Sequence, residues 1–94
     1  MLNQTVIIGR IMEINKDTNE MLIKVPRSYK NDKGTYDEDI IPTVVSSNIM
    51  DNVKEYCKVG DLVGIKGRLE AKDMRISVIG EKITFLSSSK EGGE

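Results

Sequence analysis

Along most of this chain apolar and polar residues alternate with a period of two, broken at glycines, prolines and polar clusters. "TVIIGRIMEI" (5–14) is rich in β-branched residues and reads as a first strand. Val6, Ile8 and Met12 share one face, while Ile7 and Ile11 share the other. A strand with one wet face would alternate cleanly. This one is expected to pack on both sides, one of them a candidate subunit interface. Gly9 predicts a bulge or sharp bend inside it. "NKDTNE" (15–20) is a polar turn, and "MLIKV" (21–25) is a second strand with Met21, Ile23 and Val25 on one face. "PRSYKNDKGTYDED" (26–39) is polar around Gly34 and reads as a long loop or a protruding hairpin. "IIPTVVSS" (40–47) is a third strand, with Pro42 expected at an edge or a bulge because it has no N–H to donate.

The period then changes. In "NIMDNVKEYC" (48–57) Ile49, Val53 and the Tyr56/Cys57 pair follow helical spacing. Asn48 is the expected N-cap, Asp51 falls in the expected first turn, and Gly60 is the expected stop. Tyr56, Cys57 and Phe85 are expected in the core. "LVGIKGRLEA" (62–71) is a fourth strand, with Val63, Ile65 and Leu69 opposite Lys66, Arg68 and Glu70. "AKDM" is a short connection, and "RISVIGEKITFL" (75–86) is a fifth strand whose apolar parity switches near Gly80, predicting a bulge there. Residues 87–94 read as a disordered tail.

The order is β-β-β-α-β-β. Strands one, four and five each carry an internal glycine, Gly9, Gly64, Gly67 and Gly80 among them. Small barrels need strongly bent strands, and glycines and bulges supply the bends. The predicted fold is therefore all-β: a five-stranded oligonucleotide-binding (OB) barrel over residues 1–86, with one short helix between strands three and four. A five-stranded sheet with a flanking helix is the alternative.

Composition narrows the chemistry. The 94 residues suit one small domain with a limited core, to which a partner subunit could add burial. Fourteen basic residues stand against fifteen acidic ones, a net charge of −1, which leaves room for a local basic patch only. There is one cysteine and no histidine, so neither an internal disulfide nor a Cys/His zinc site can form. A histidine-dependent triad is excluded, Ser46 and Ser47 have no imidazole to activate them, and no enzyme is expected. Neither a signal peptide nor an 18-residue apolar run is present, so no membrane contact is expected and a cytoplasmic location is.

"NVKEYCKVGDLVGIKGRLEA" (52–71) resembles the helix-to-strand segment of bacterial single-stranded DNA-binding proteins (SSBs). "MLNQTVIIGRI" resembles that family's first strand and "VIGEKITFL" its last. The resemblance covers about residues 1–86, in order, with shorter loops. It implies an OB barrel that assembles as a homotetramer, or as a dimer, and coats single-stranded DNA in replication, recombination or repair. It also implies a bacterial, nucleoid-associated or phage- or plasmid-encoded protein. Of the family's four prominent base-stacking aromatics, the first aligns with Tyr29, which keeps a ring. The others align with Ile40, Ser46 and Met74. Stacking contributes about 1–3 kcal/mol per base, so three losses at the low end remove roughly 3 kcal/mol, about a hundredfold in affinity. The family's acidic C-terminal tip is not in this sequence, so tail-mediated protein recruitment is not expected. No cofactor or metal is implied.

The residues that suit nucleic acid cluster in "KVPRSYKNDKGTY" (24–36), where Lys24, Arg27, Lys30 and Lys33 interleave with Tyr29 and Tyr36. Cations neutralise phosphates and rings stack on bases. "DED" (37–39) directly follows, and a solvated hairpin is the plain alternative. Arg10 and Lys66 lie on sheet faces that could border a groove. Lys72 and Arg75 flank the short turn, and Arg68 reads as structural. Two functions compete: sequence-independent single-stranded DNA binding as a homo-oligomer, and an SSB-like interaction module of the primosomal accessory type acting through a protein partner.

Overall fold

The computed structural model describes residues 1–88. The elements are β1 (Thr5–Asn15), β2 (Glu20–Lys30), β3 (Tyr36–Val45), α1 (Ser47–Tyr56), β4 (Leu62–Lys72) and β5 (Arg75–Ser87). The strands close a barrel in the order β1-β2-β3-β5-β4, with β4 pairing back to β1. All pairs are antiparallel except β3 with β5. This is the OB barrel that the strand order and glycines predict, with the helix in the expected interval. Among the described residues no helix is long and apolar enough to cross a membrane. β5 includes Ser87, and the rest of the expected tail, 89–94, lies outside the described residues.

Inward-facing positions form one core. Ile11, Met21, Ile23, Val45, Val63, Ile65 and Val78 from the strands meet Met50 and Val53 from α1. Burying each such side chain contributes about 1.5–3 kcal/mol. Strand directions divide the barrel into two ends. α1 and the β1–β2 turn sit at one end. The β2–β3 and β4–β5 hairpins both project from the other, where β1 begins.

The long polar stretch is a protruding hairpin: β2 continues to Lys30, β3 starts at Tyr36, and Asn31 ties the tip. The Asn31 side chain accepts from the backbone N–H of Lys33 (2.8 Å) and of Thr35 (3.1 Å). Pro42 sits opposite Leu22, one residue before the β3–β5 pairing starts, so on that side no ladder bond is lost. The expected bulge near Gly80 is present. Lys66 faces Lys82 and Gly67 faces Gly80, leaving Glu81 as the extra residue.

Several expectations need correction. The β1 bulge falls at Met12, between Ile11 and Glu13, and not at Gly9. Gly9 instead marks a close approach, because a Cβ there would strike the Lys24 carbonyl and lie 2.9 Å from Ile23 and Val25 methyls. Gly64 needs no such allowance, its nearest prospective neighbours being 3.7 Å and 3.8 Å away. The N-cap is Ser46 and not Asn48: its backbone is extended and its hydroxyl accepts from Ile49 N–H at 3.2 Å. The helix thus starts two residues earlier than it would from Asn48, and Asp51 lies beyond the first turn. It ends at Tyr56, with Cys57 as C-cap; Gly60 takes φ 98° in the following turn, where its N–H donates to Ile11. Tyr56 and Phe85 are not core residues, being 70% and 48% exposed, because the buried helix stripe is Met50 and Val53. Leu69 is 46% exposed, since the β1–β4 ladder ends at Thr5 and Gly67 and leaves this part of β4 paired with β5 alone.

Candidate nucleic-acid interface

Strand alternation sorts the hairpin cations into two sets. Lys30 faces Tyr36 across the hairpin, and its ammonium lies 6.0 Å from the ring centroid, at the limit of a cation–π contact. Tyr29, next along β2, belongs to the opposite face with Arg27, whose guanidinium feels the nearby phenol. The two tyrosines are 62% and 53% exposed, so both rings are available to a ligand.

The carboxylates that follow the second tyrosine occupy part of this cation set. Arg27 binds Asp39 through both Nε and Nη2, at 2.9–3.3 Å. The pair holds the Arg27 proton more tightly than usual and keeps the Asp39 carboxyl below the ordinary carboxylate range, the hydrogen bond being the larger cause in each case. Lys24 lies 3.8 Å from Glu38. Both pairs are half-exposed, so solvent screens them. Lys33 stands at the exposed tip.

Arg10 is the cross-strand neighbour of Lys24, which in turn faces Ile40. This row carries two of the expected cations from β1 to the root of the hairpin. Arg10 is anchored by a 2.9 Å bond from Nη1 to the Gly60 carbonyl, and with Lys24 it lines a concavity of about 580 Å³ on the outer barrel face. Lys66 is not part of this group. It sits on the outer face of β4 between Val6 and Lys82, two side-chain rows from Leu62, which faces Arg10. Its cationic neighbour Lys82 was not singled out from the sequence. Arg68 is held structurally, by Glu70 (3.5 Å) and Glu81 (3.4 Å).

The positions aligned with the stacking aromatics have separate local roles. Ser46 is the helix cap. Met74 is fully exposed in a two-residue β4–β5 turn, where it and Asp73 both have positive φ, and Ile40 is 42% exposed beside Lys24. Asp61 was also missed. It is 1% exposed, and its carboxylate accepts from Lys58 N–H at 3.0 Å while pairing with the Lys58 ammonium at 3.4 Å. This closes the turn into β4. Burial, and secondarily the Asp61 charge, push the Cys57 thiol up, so it stays protonated at neutral pH.

Comparison with known proteins agrees with the barrel. Single-stranded DNA-binding protein 1 of Clostridium acetobutylicum is 32% identical over 108 residues, covering 96% of this chain and 98% of that one. A Plasmodium falciparum SSB solved in complex with ssDNA superposes with a TM-score of 0.70 at 19% identity, covering 93% and 96% of the two chains. The dimeric N-terminal domain of PriB from Thermoanaerobacter tencongensis gives 0.66 at 18%, covering 92% and 98%. At those identities the two structures speak for the fold alone. The sequence match is broader: residues 2–87, spanning all five strands and the helix, fit the profile of the Single-strand binding protein family, and the chain belongs to that family.

Proposed function

We propose that this protein binds single-stranded DNA without sequence preference, as a homo-oligomer, in replication, recombination or repair. The observation that carries the reading is the β2–β3 hairpin on an SSB-family barrel, where exposed Tyr29 and Tyr36 alternate with Lys24, Arg27, Lys30 and Lys33. Rings of this kind stack on any base, because every base has a π-face, and the cations release counterions from the phosphates. Phosphates displace Asp39 from Arg27 and Glu38 from Lys24 as they bind. Arg10 continues the phosphate track onto β1, and Lys66 is an outlying contact.

Self-association rests on the outer face of β1. Val6, Ile8 and Met12 are 66%, 53% and 42% exposed there, and Leu86 of β5 (45%) is the side-chain neighbour closest to where a Gly64 Cβ would stand, with Ile8 next. A second copy would cover the Val6, Ile8 and Leu86 part of this strip, leaving Arg10 and Met12 to the concavity they line with Lys24, and the finer reading is a tetramer. The interaction-module alternative is less favoured, because the relative matched over nearly its whole length is named as a single-stranded DNA-binding protein.

The test is a titration of labelled oligo(dT) and oligo(U) at two salt concentrations, with the oligomer measured by sedimentation. Binding at micromolar protein should weaken with salt, and Tyr29→Ala should cost about fivefold or more, the low end for one stacked base. No binding at low salt and micromolar protein would refute the proposal.

A further inference from the structure

The concavity that Arg10 and Lys24 share carries an apolar lining that phosphate binding alone does not use. The two cations face each other directly across the β1–β2 ladder. Like charges in that position repel and weaken a sheet. Each is tethered: Arg10 by its bond to the Gly60 carbonyl (2.9 Å), Lys24 by Glu38 (3.8 Å). Among the described residues Arg10 has no carboxylate partner. Beside these cations Ile8, Met12 and Val59 are exposed large side chains, and all three line the concavity.

This wall is built in advance. The turn at 57–61 is clamped to β1 by two backbone bonds, from Gly60 N–H to the Ile11 carbonyl (2.8 Å) and from Ile11 N–H to the Asp61 carbonyl (3.0 Å). Buried Asp61 closes the turn by accepting from Lys58 N–H. Val59, and the Gly60 carbonyl that orients Arg10, are therefore in place before a ligand arrives. Pre-formed sites lose less free energy to ordering. The volume, about 580 Å³, falls in the usual range for small-ligand sites, which are mostly apolar with a few placed polar groups.

We propose that this concavity binds a small organic anion with an apolar body, an aromatic or medium-chain carboxylate, whose head group bridges Arg10 and Lys24 while the body lies on Ile8, Met12 and Val59. The planar arginine fork matches a carboxylate in shape. An anion between the two cations also relieves their repulsion. A bare inorganic ion would leave the apolar lining in water, and an uncharged apolar compound would leave Arg10 without a counterion. Glu38 competes for Lys24, so the head group displaces it. Ile8 is shared with the strip that a second copy would cover, and the rest of the lining lies outside that strip. Both cations belong to the phosphate track proposed above, so ligand and strand compete. The anion site stands without the DNA reading, and the competition rests on it.

The probes are naphthoate and decanoate, followed in amide NMR spectra of the whole protein through Gly9 and Gly60, which both line the site. At least one probe should shift both amides saturably. Arg10→Gln should weaken that binding about tenfold, the low end for a hydrogen bond to a charged group. Glu38→Gln should tighten it about twofold, the scale of an exposed ion pair. Val59→Asp, at an exposed turn position, should abolish it by setting a carboxylate in the wall. Unshifted amides elsewhere confirm the fold of each variant. A response to naphthoate alone assigns an aromatic ligand, and to decanoate alone an aliphatic one. If inorganic phosphate shifts the two glycines with the same affinity, the apolar lining has no part and the proposal is overturned. It is also overturned if neither probe shifts them, if Arg10→Gln and Val59→Asp bind like wild type, or if the amides respond to protein dilution and not to probe, which puts a second copy there. If a probe binds and oligo(dT) binds without displacing it, the anion site stands and Arg10 and Lys24 leave the phosphate track. If a probe binds and oligo(dT) does not bind at low salt, the anion site stands and the DNA reading falls.

Discussion

Gly67 and Gly64 lie three residues apart on β4, and alanine should affect them very differently. A Cβ at Gly67 would run into the Ile79 carbonyl oxygen and stand 2.9 Å from its carbon and 3.2 Å from the Glu81 nitrogen. All three obstacles are backbone atoms at the β5 bulge, so no side chain can rotate away. Overpacking costs about 1–3 kcal/mol when side chains absorb it. A clash against backbone puts Gly67→Ala near the top, at about 3 kcal/mol or more. A chain of this size has roughly 5–14 kcal/mol to lose. With m near 1.5 kcal/mol/M in urea, the unfolding midpoint should fall by about 2 M. At Gly64 the same methyl would rest in ordinary contact with the Leu86 and Ile8 side chains, at 3.7 Å and 3.8 Å. Gly64→Ala should lie within about 1 kcal/mol of wild type, on the stabilising side, because alanine restricts the unfolded chain. The assay is urea unfolding followed by circular dichroism at one protein concentration. Equal midpoints for the two variants would refute the assignment of Gly67 to a close backbone approach.

Two further outcomes follow from the site and the helix. Asp39→Asn removes the partner that Arg27 must release on binding, so the salt slope of oligo(dT) binding should steepen by about 0.7, one phosphate contact on a single strand; an unchanged slope would remove Arg27 from the phosphate track. Ser46→Ala deletes the cap that accepts from Ile49 N–H and should cost about 1 kcal/mol in urea unfolding, whereas Asn48→Ala, one residue inside the helix start, should cost less.

Much of the scaffold was legible in the chain. Two-residue alternation marked the second and fourth strands, β-branched content marked the first, and the parity switch in "RISVIGEKITFL" located the β5 bulge to within one residue, since a slip flips every side chain to the other face. The candidate interface was legible only as composition. Interleaved cations and rings are visible as a string, but Arg27 and Asp39 are twelve residues apart and meet only because the hairpin folds back. Helix boundaries were misplaced because Ser46 and Asn48 are both good caps, and only the point where β3 leaves the sheet chooses between them. Tyr56 was misjudged for a related reason: helical spacing names an apolar stripe, but the barrel decides which part of it is covered. By itself the sequence determined the order of strands, the interval that holds the helix and the clustering of cations and rings between 24 and 36. The tertiary structure alone decided which cations carboxylates already hold, that two of the four strand glycines, Gly9 and Gly67, are pressed against backbone, and that the wall opens ahead of Thr43 and Val78. Those outcomes depend on pairings between distant segments, and a local pattern carries no record of what will lie across from it.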